Sequence, residues 1–175
     1  MNFMGIDPGK NGGIAVISGN GDTRLFMLPK IGNDINLVEL GKIFDKVRAH
    51  IAQGAEYRGG IEQVHSIHGS SAKSNFEFGE SAGLLRMGMV STGMGWEAVQ
   101  PKTWQKELFE GVVPQWKKND SGKDVHDTKA MAYAAITRLY PNAIFLPTIR
   151  SSKPHEGLVD ALCIAHYIRL RYNQQ

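Results

Sequence analysis

Four carboxylates in this chain stand where a surface charge has no evident reason to be. Asp7 closes a short apolar run, is followed by the Pro8-Gly9 break and by Gly12-Gly13, and the chain then turns apolar again. Glu62 lies in "GIEQVH", behind Gly59-Gly60. Glu156 and Asp160 are four residues apart in "HEGLVDALCIA", a spacing that puts both on one face of a helix. Three have ordinary explanations: a turn starter at Asp7, an edge-strand surface residue at Glu62, a favourable charge at a helix N-terminus at Glu156. Asp160 resists one, because a charge inside "LVDALCIA" costs free energy unless it is paired or meets a cation. Gathered in one small volume the four would repel each other, and such hard oxygen donors select Mg²⁺ or Mn²⁺ over zinc. Two such ions about 3.5–4 Å apart clamp the attacking water and the leaving oxygen of a phosphodiester. The chain has no Cys/His zinc spacing, no G-x-S-x-G and no G-x-x-x-x-G-K-[ST].

The elements that must position these acids follow from periodicity. Residues 3–7, 12–18 and 24–28 read as three short strands of an antiparallel meander, joined by Gly-rich and polar turns. Leu37, Leu40, Ile43, Phe44, Val47 and Ile51 then fall on one helical face, with Asp34 and Asn36 as candidate caps. "GIEQVH" is a brief strand, which a right-handed crossover would lay parallel to the first and bring the two acids together. The polar loop "SIHGSSAKSN" leads into a helix holding Phe76, Phe78, Leu84, Leu85 and Met89. "WEAVQP" is a strand ending at Pro101, "KTWQKELF" opens a helix, and "GVVPQWKKNDSGKDVHD" reads as an exposed loop. Asp127-Thr128 caps a helix over 128–140, "AIFLP" is a short buried strand or extended segment, and the final helix carries Leu158, Leu162, Ala165, Ile168 and Arg169 in sequence. The fold class is α/β, a mixed sheet flanked by helices, without internal repeats or an interdomain linker.

The whole of residues 1–175 suits one domain with a core of its own. A hydrophobic share of 42% and a charged share of 21% are those of a soluble globular protein. Cys163 stands alone, which excludes an internal disulfide and fits a reducing, cytoplasmic compartment. No apolar stretch approaches the roughly twenty residues of a membrane span, and none reads as a signal peptide. The net charge of +3 says little about partners, but its distribution says more. Lys102, Lys106, Lys117, Lys118 and Lys123 cluster with Trp104 and Trp116 among them, and indoles stack on bases while ammonium groups neutralise phosphate.

In order and spacing, "GIDPGKNGGIAVI", "GIEQVH" and "HEGLVDALCIA" resemble the RuvC-type Holliday-junction resolvases, the phage-encoded branch most of all, over essentially the whole chain. The resemblance implies a ribonuclease-H-like fold in which three antiparallel strands are followed by parallel ones. It also implies a homodimer that uses two Mg²⁺ or Mn²⁺ ions per site to nick opposed strands of a four-way DNA junction, leaving 5′-phosphate and 3′-hydroxyl ends. By position, Asp7 becomes the acid bridging both metals, Glu62 the acid after the first helix, and Asp160 the acid of the final helix. The cellular enzymes carry an Asp or His three residues before that last acid, where this chain has Gly157. Glu156, on the same helical face, is one replacement ligand. His155 is the other candidate, to order the attacking water or protonate the leaving oxygen.

The resemblance also places "HGSSAKSNFEFGESAGLLRMG" near the dimer interface and the junction centre. Phe76 or Phe78 is then a wedge against unstacked bases, unless both serve core or interface, which two aromatics two residues apart on a helix cannot do equally. Gly79, Ala82, Gly83 and Gly88 would let a second helix approach closely. Lys102, Lys106, Lys117, Lys118 and Lys129 match the zone that grips phosphates, Lys129 foremost. Two rivals share the acids or the substrate: a ribonuclease H on RNA–DNA hybrids, and a non-catalytic junction-binding protein. A sugar kinase or actin-like ATPase would need a second phosphate-binding hairpin and about twice the length.

Overall fold

The computed structural model describes residues 1–63, 69 and 71–173. β1 (Asn2–Asp7), β2 (Gly13–Ile17) and β3 (Thr23–Met27) form the expected antiparallel meander, with Asp7 opposite Gly13. The two-residue strands β4 (Lys30–Ile31) and β5 (Asp34–Ile35) pair with each other before α1 (Leu37–Ala52). β6 (Tyr57–Glu62) lies parallel to β1, then come α2 (Ala72–Thr92) and β7 (Gly95–Val99), parallel to β6. α3 (Pro101–Leu108), β8 (Trp116–Lys118), β9 (Asp124–His126), α4 (Thr128–Leu139) and α5 (Glu156–Tyr172) complete the order. The main sheet runs β3-β2-β1-β6-β7. Among the described residues no helix is long and apolar enough to cross a membrane.

Strand alternation divides the core into two layers. Met4, Ile6, Ile14, Val16 and Ile61 pack with Leu40, Phe44 and Val47 of α1 and Leu85 and Met89 of α2. Phe3, Ala15 and Ile17 point the other way, into a cluster with Trp104 and Leu108 of α3, Ala135 and Ile136 of α4, and most of α5. By the same parity Asp7 and Glu62 belong to the α5 side, two residues on from Gly5 and Gly60. α5 lies directly on β1. A Cβ at Gly5 would stand 2.1 Å from the Ala161 carbonyl oxygen and 2.3 Å from the Ala165 nitrogen, so only glycine permits this approach.

Several expectations are corrected. "GVVPQWKKNDSGKDVHD" is no plain loop: β8 and β9 pair antiparallel, Trp116 opposite His126, because Asn119 to Lys123 close a turn with Asn119 Oδ1 accepting from the Ser121 and Lys123 amides. "AIFLP" forms no strand, and of its apolar residues Phe145 is buried while Ile144 and Leu146 are exposed. Leu37 is exposed, since it opens α1 before the helix meets the sheet. Asn36 caps α1, accepting from the Glu39 amide at 3.2 Å, and Asp34 belongs to β5 instead. Two small residues of α2 serve this chain itself: Ala82 is buried, and a Cβ at Gly88 would meet the Phe44 ring at 2.2 Å. Val64 and His65 of "GIEQVH", with residues 66–68 and 70 behind them, lie outside the described residues.

Candidate active site

Asp7 ends β1 at the edge of the buried sheet, and its Oδ1 accepts from the Gly9 amide at 2.9 Å, the turn that Pro8-Gly9 permits. Ser81 of α2 donates to the Pro8 carbonyl at 2.9 Å and so ties this turn to the helix behind it. Glu62 ends the neighbouring parallel strand, and its Oε1 accepts from Trp104 Nε1 at 3.3 Å. Asp160 stands on α5, one turn beyond Glu156 and near enough to Asp7 and Glu62 for their charges to act on it.

The three acids act on each other. Burial pushes Asp160 up to about 8, with Asp7 and then Glu62 adding repulsion and Lys129 offsetting part of it. Burial, then the Asp7 charge, raises Glu62 to about 7, against the Trp104 hydrogen bond. Asp7 is raised as well, first by burial, while the Gly9 amide and Lys129 pull it down. Near neutral pH the group therefore retains protons that ordinary carboxyls would have lost.

Glu156 is placed differently. It is exposed and pairs with Lys129 of α4, whose own affinity for its proton rises chiefly through that hydrogen bond. His155 is the N-cap of α5: its Nδ1 accepts from the Leu158 amide at 3.3 Å. Burial, then Lys30, lowers its proton affinity. Position 157 can hold no ligand, because a Cβ there would lie 2.1 Å from the Asn11 carbonyl oxygen, inside the β1–β2 turn.

Asp7, Glu62 and Asp160 fit a divalent cation by their chemistry: hard oxygen donors, half-buried and repelling one another, with Lys129 offsetting only part of that repulsion. Among the described residues no three carboxylate, imidazole or thiol groups already converge to hold an ion, so the side chains would have to rotate toward one. Glu156 would first have to leave Lys129.

The lysines expected to meet phosphate, Lys102, Lys106, Lys117, Lys118 and Lys129, are all exposed. Lys117 stands 3.5 Å from Asp127 and Lys118 2.8 Å from Asp124, so the β8–β9 hairpin is largely neutralised. Trp104 is corrected from a stacking residue to a core one, 2% exposed, whose indole steadies Glu62. Its i, i+4 spacing to buried Leu108 was the signal for that role. Trp116, 60% exposed and edge-on to His126 at 4.3 Å, remains available to stack. Phe76 is exposed and Phe78 half-buried.

No family model matches this sequence, and no curated protein does. Solved structures do match. Thermus thermophilus RuvC superposes with a TM-score of 0.57 at 19% identity, over 99% of this chain and 97% of that one. T. thermophilus RuvC in complex with a Holliday junction substrate gives 0.54 at 17%, over 98% and 96%. The fold is RuvC-type. Within a RuvC-type, ribonuclease-H-like sheet, the acids of β1, β6 and α5 occupy one end and one face, and α2 lies across the other face.

Proposed function

We propose that this chain is a single nuclease domain acting as a divalent-metal-dependent, structure-selective endodeoxyribonuclease. It would resolve four-way DNA junctions by paired nicks that leave 5′-phosphate and 3′-hydroxyl ends, working in the cytoplasm, and in the host's if a phage encodes it. The observation that carries this reading is the trio Asp7, Glu62 and Asp160, brought from three elements into one partly buried group in which the Asp7 charge raises the proton affinity of the other two. A RuvC-type fold solved on a Holliday junction substrate supports the choice of DNA and of branched structure.

Mg²⁺ or Mn²⁺, two per site, would supply a hydroxide-like nucleophile and charge for the leaving oxygen. Asp7, fixed by the Gly9 amide, Glu62, steadied by Trp104, and Asp160 would hold them. Glu156 would join them if Lys129 turned from it to a DNA phosphate, exchanging one anion for another at the same ammonium. His155 keeps Nδ1 on the helix end, which leaves Nε2 as its donor. Lys102, Lys106, Lys117, Lys118 and Trp116 would line the path of the arms, and Phe76 or Phe78 the junction centre. A homodimer through α2 would set two such sites on opposed strands.

The decisive experiment is cleavage of a panel of four-way, duplex, RNA–DNA hybrid and single-stranded substrates with and without Mg²⁺, by the parent and by Asp7→Asn. The four-way junction should be cut in Mg²⁺ by the parent alone, at least a hundredfold faster than by the variant. Equal rates would sink the assignment, and preferential cutting of the hybrid would replace it with a ribonuclease H.

A further inference from the structure

A cleft of about 470 Å³ opens between the β1–β2 turn, the β3–β4 segment and the start of α5. Its apolar wall includes Phe26, Leu28 and Ile43, and its polar groups are Asn11, Lys30 and His155. The hydrogen bonds around them decide what those groups can offer. Lys30 Nζ donates to Asn11 Oδ1 at 2.9 Å, which uses the acceptor end of the amide and leaves its NH₂ as the remaining polar end. His155 Nδ1 accepts from the Leu158 amide, so the ring proton sits on Nε2. An ammonium, an amide NH₂ and an imidazole N–H thus share one cleft, and no carboxylate lines it. Such a donor-only set matches an oxyanion.

Placement ties the cleft to the acids. Asn11 is four residues beyond Asp7 on the same turn, and its carbonyl abuts Gly157 of α5. His155 immediately precedes Glu156, whose carboxylate is engaged by Lys129. The cleft thus adjoins the acids through two short links in the chain, and its ammonium, Lys30, acts on His155 beside Glu156.

We infer that the Lys30–Asn11–His155 cleft is a phosphate-binding subsite, which holds a backbone phosphate of the strand being cut next to the scissile one. The inference rests on the nuclease reading for its ligand, though not for its chemistry. Lys30 supplies the charge, and the amide and imidazole donors fix which oxygens it meets. A phosphate held there, four residues along the turn from Asp7, sets the strand's register over that acid.

Two measurements test this without catalysis. Fluorescence anisotropy of a labelled four-way junction, in EDTA and over a range of salt, should give Lys30→Ala a salt slope shallower by about one phosphate contact and an affinity about tenfold lower. Lys30→Arg should recover most of both. His155→Asn, which keeps a capping side chain but removes the far donor, should weaken binding at unchanged slope. In parallel, NMR of the His155 ring during titration with inorganic phosphate should show a shift in the parent that Lys30→Ala lacks. A junction-binding parent with the same slope and affinity as Lys30→Ala would overturn the inference, as would equal phosphate shifts in both proteins. A parent that shows the phosphate shift but binds no DNA would overturn the nuclease reading and leave an oxyanion site standing.

Discussion

Asp160 holds a proton in the folded chain up to about pH 8, whereas an ordinary aspartate has lost it near 3.8. Between those values the unfolded state binds fewer protons than the folded one, so stability falls as pH rises through that window. Replacing the side chain by a neutral isostere removes the penalty. Asp160→Asn should therefore melt at the same temperature as the parent near pH 4, then above it by a margin that grows to several degrees by pH 9. The same variant should not cleave. Adding Mg²⁺ or Mn²⁺ at pH 8 should raise the parent's melting temperature with release of protons, and do much less for the variant. A melting gap that stays flat with pH would show that Asp160 carries no raised proton affinity. The residue that destabilises the fold is, on this account, the one its chemistry needs.

At the scale of elements, the site depends on backbone contacts as much as on ligands. Gly157 has the Asn11 carbonyl where a methyl would go, so Gly157→Ala must push α5 off the β1–β2 turn. Overpacking of this kind costs about 1–3 kcal/mol. Chemical denaturation should register that loss, and cleavage should fall by more than the folded fraction accounts for, since Asp7 and Asp160 are moved apart. Unchanged cleavage would mean that the turn can yield without disturbing the acids. Much of this was legible in the sequence. An acid at the end of an apolar run followed by Pro-Gly is a local signal, and period two along β1 and β6 carries Asp7 and Glu62 to one face. The pairing of Glu156 with Lys129 was not legible, because it joins α4 to α5 across 27 residues and no local pattern marks it. The burial of Trp104 was legible in its spacing to Leu108, but its hydrogen bond to Glu62 was not, since it spans 42 residues. The β8–β9 hairpin hid behind polar residues, its strands being too short and too exposed to show alternation.

For the whole molecule, α2 presents an apolar stripe to solvent: Phe76 is 71% exposed, Met87 63% and Val90 51%, with exposed Gly83 between them. Single exposed apolar residues need no partner, but a row along one helix is what an interface between copies would cover. Met87→Glu should shift sedimentation from dimer to monomer, leave the cation-induced rise in melting temperature intact, and turn paired nicks into independent single ones. A parent that sediments as a monomer at all concentrations would remove the dimer from the proposal. The contact of α5 with β1 at Gly5 bears on how the proposed nuclease would adjust to its substrate. With no side chain between helix and strand, the backbones that carry Asp7 and Asp160 are held at a fixed spacing, and only their short side chains can turn. Adaptation to a distorted DNA strand must come from the longer, hinged members of the group, Glu62 against its indole and Glu156 against its lysine. The site is thus half anvil and half finger, with the stiff half set by one missing methyl group.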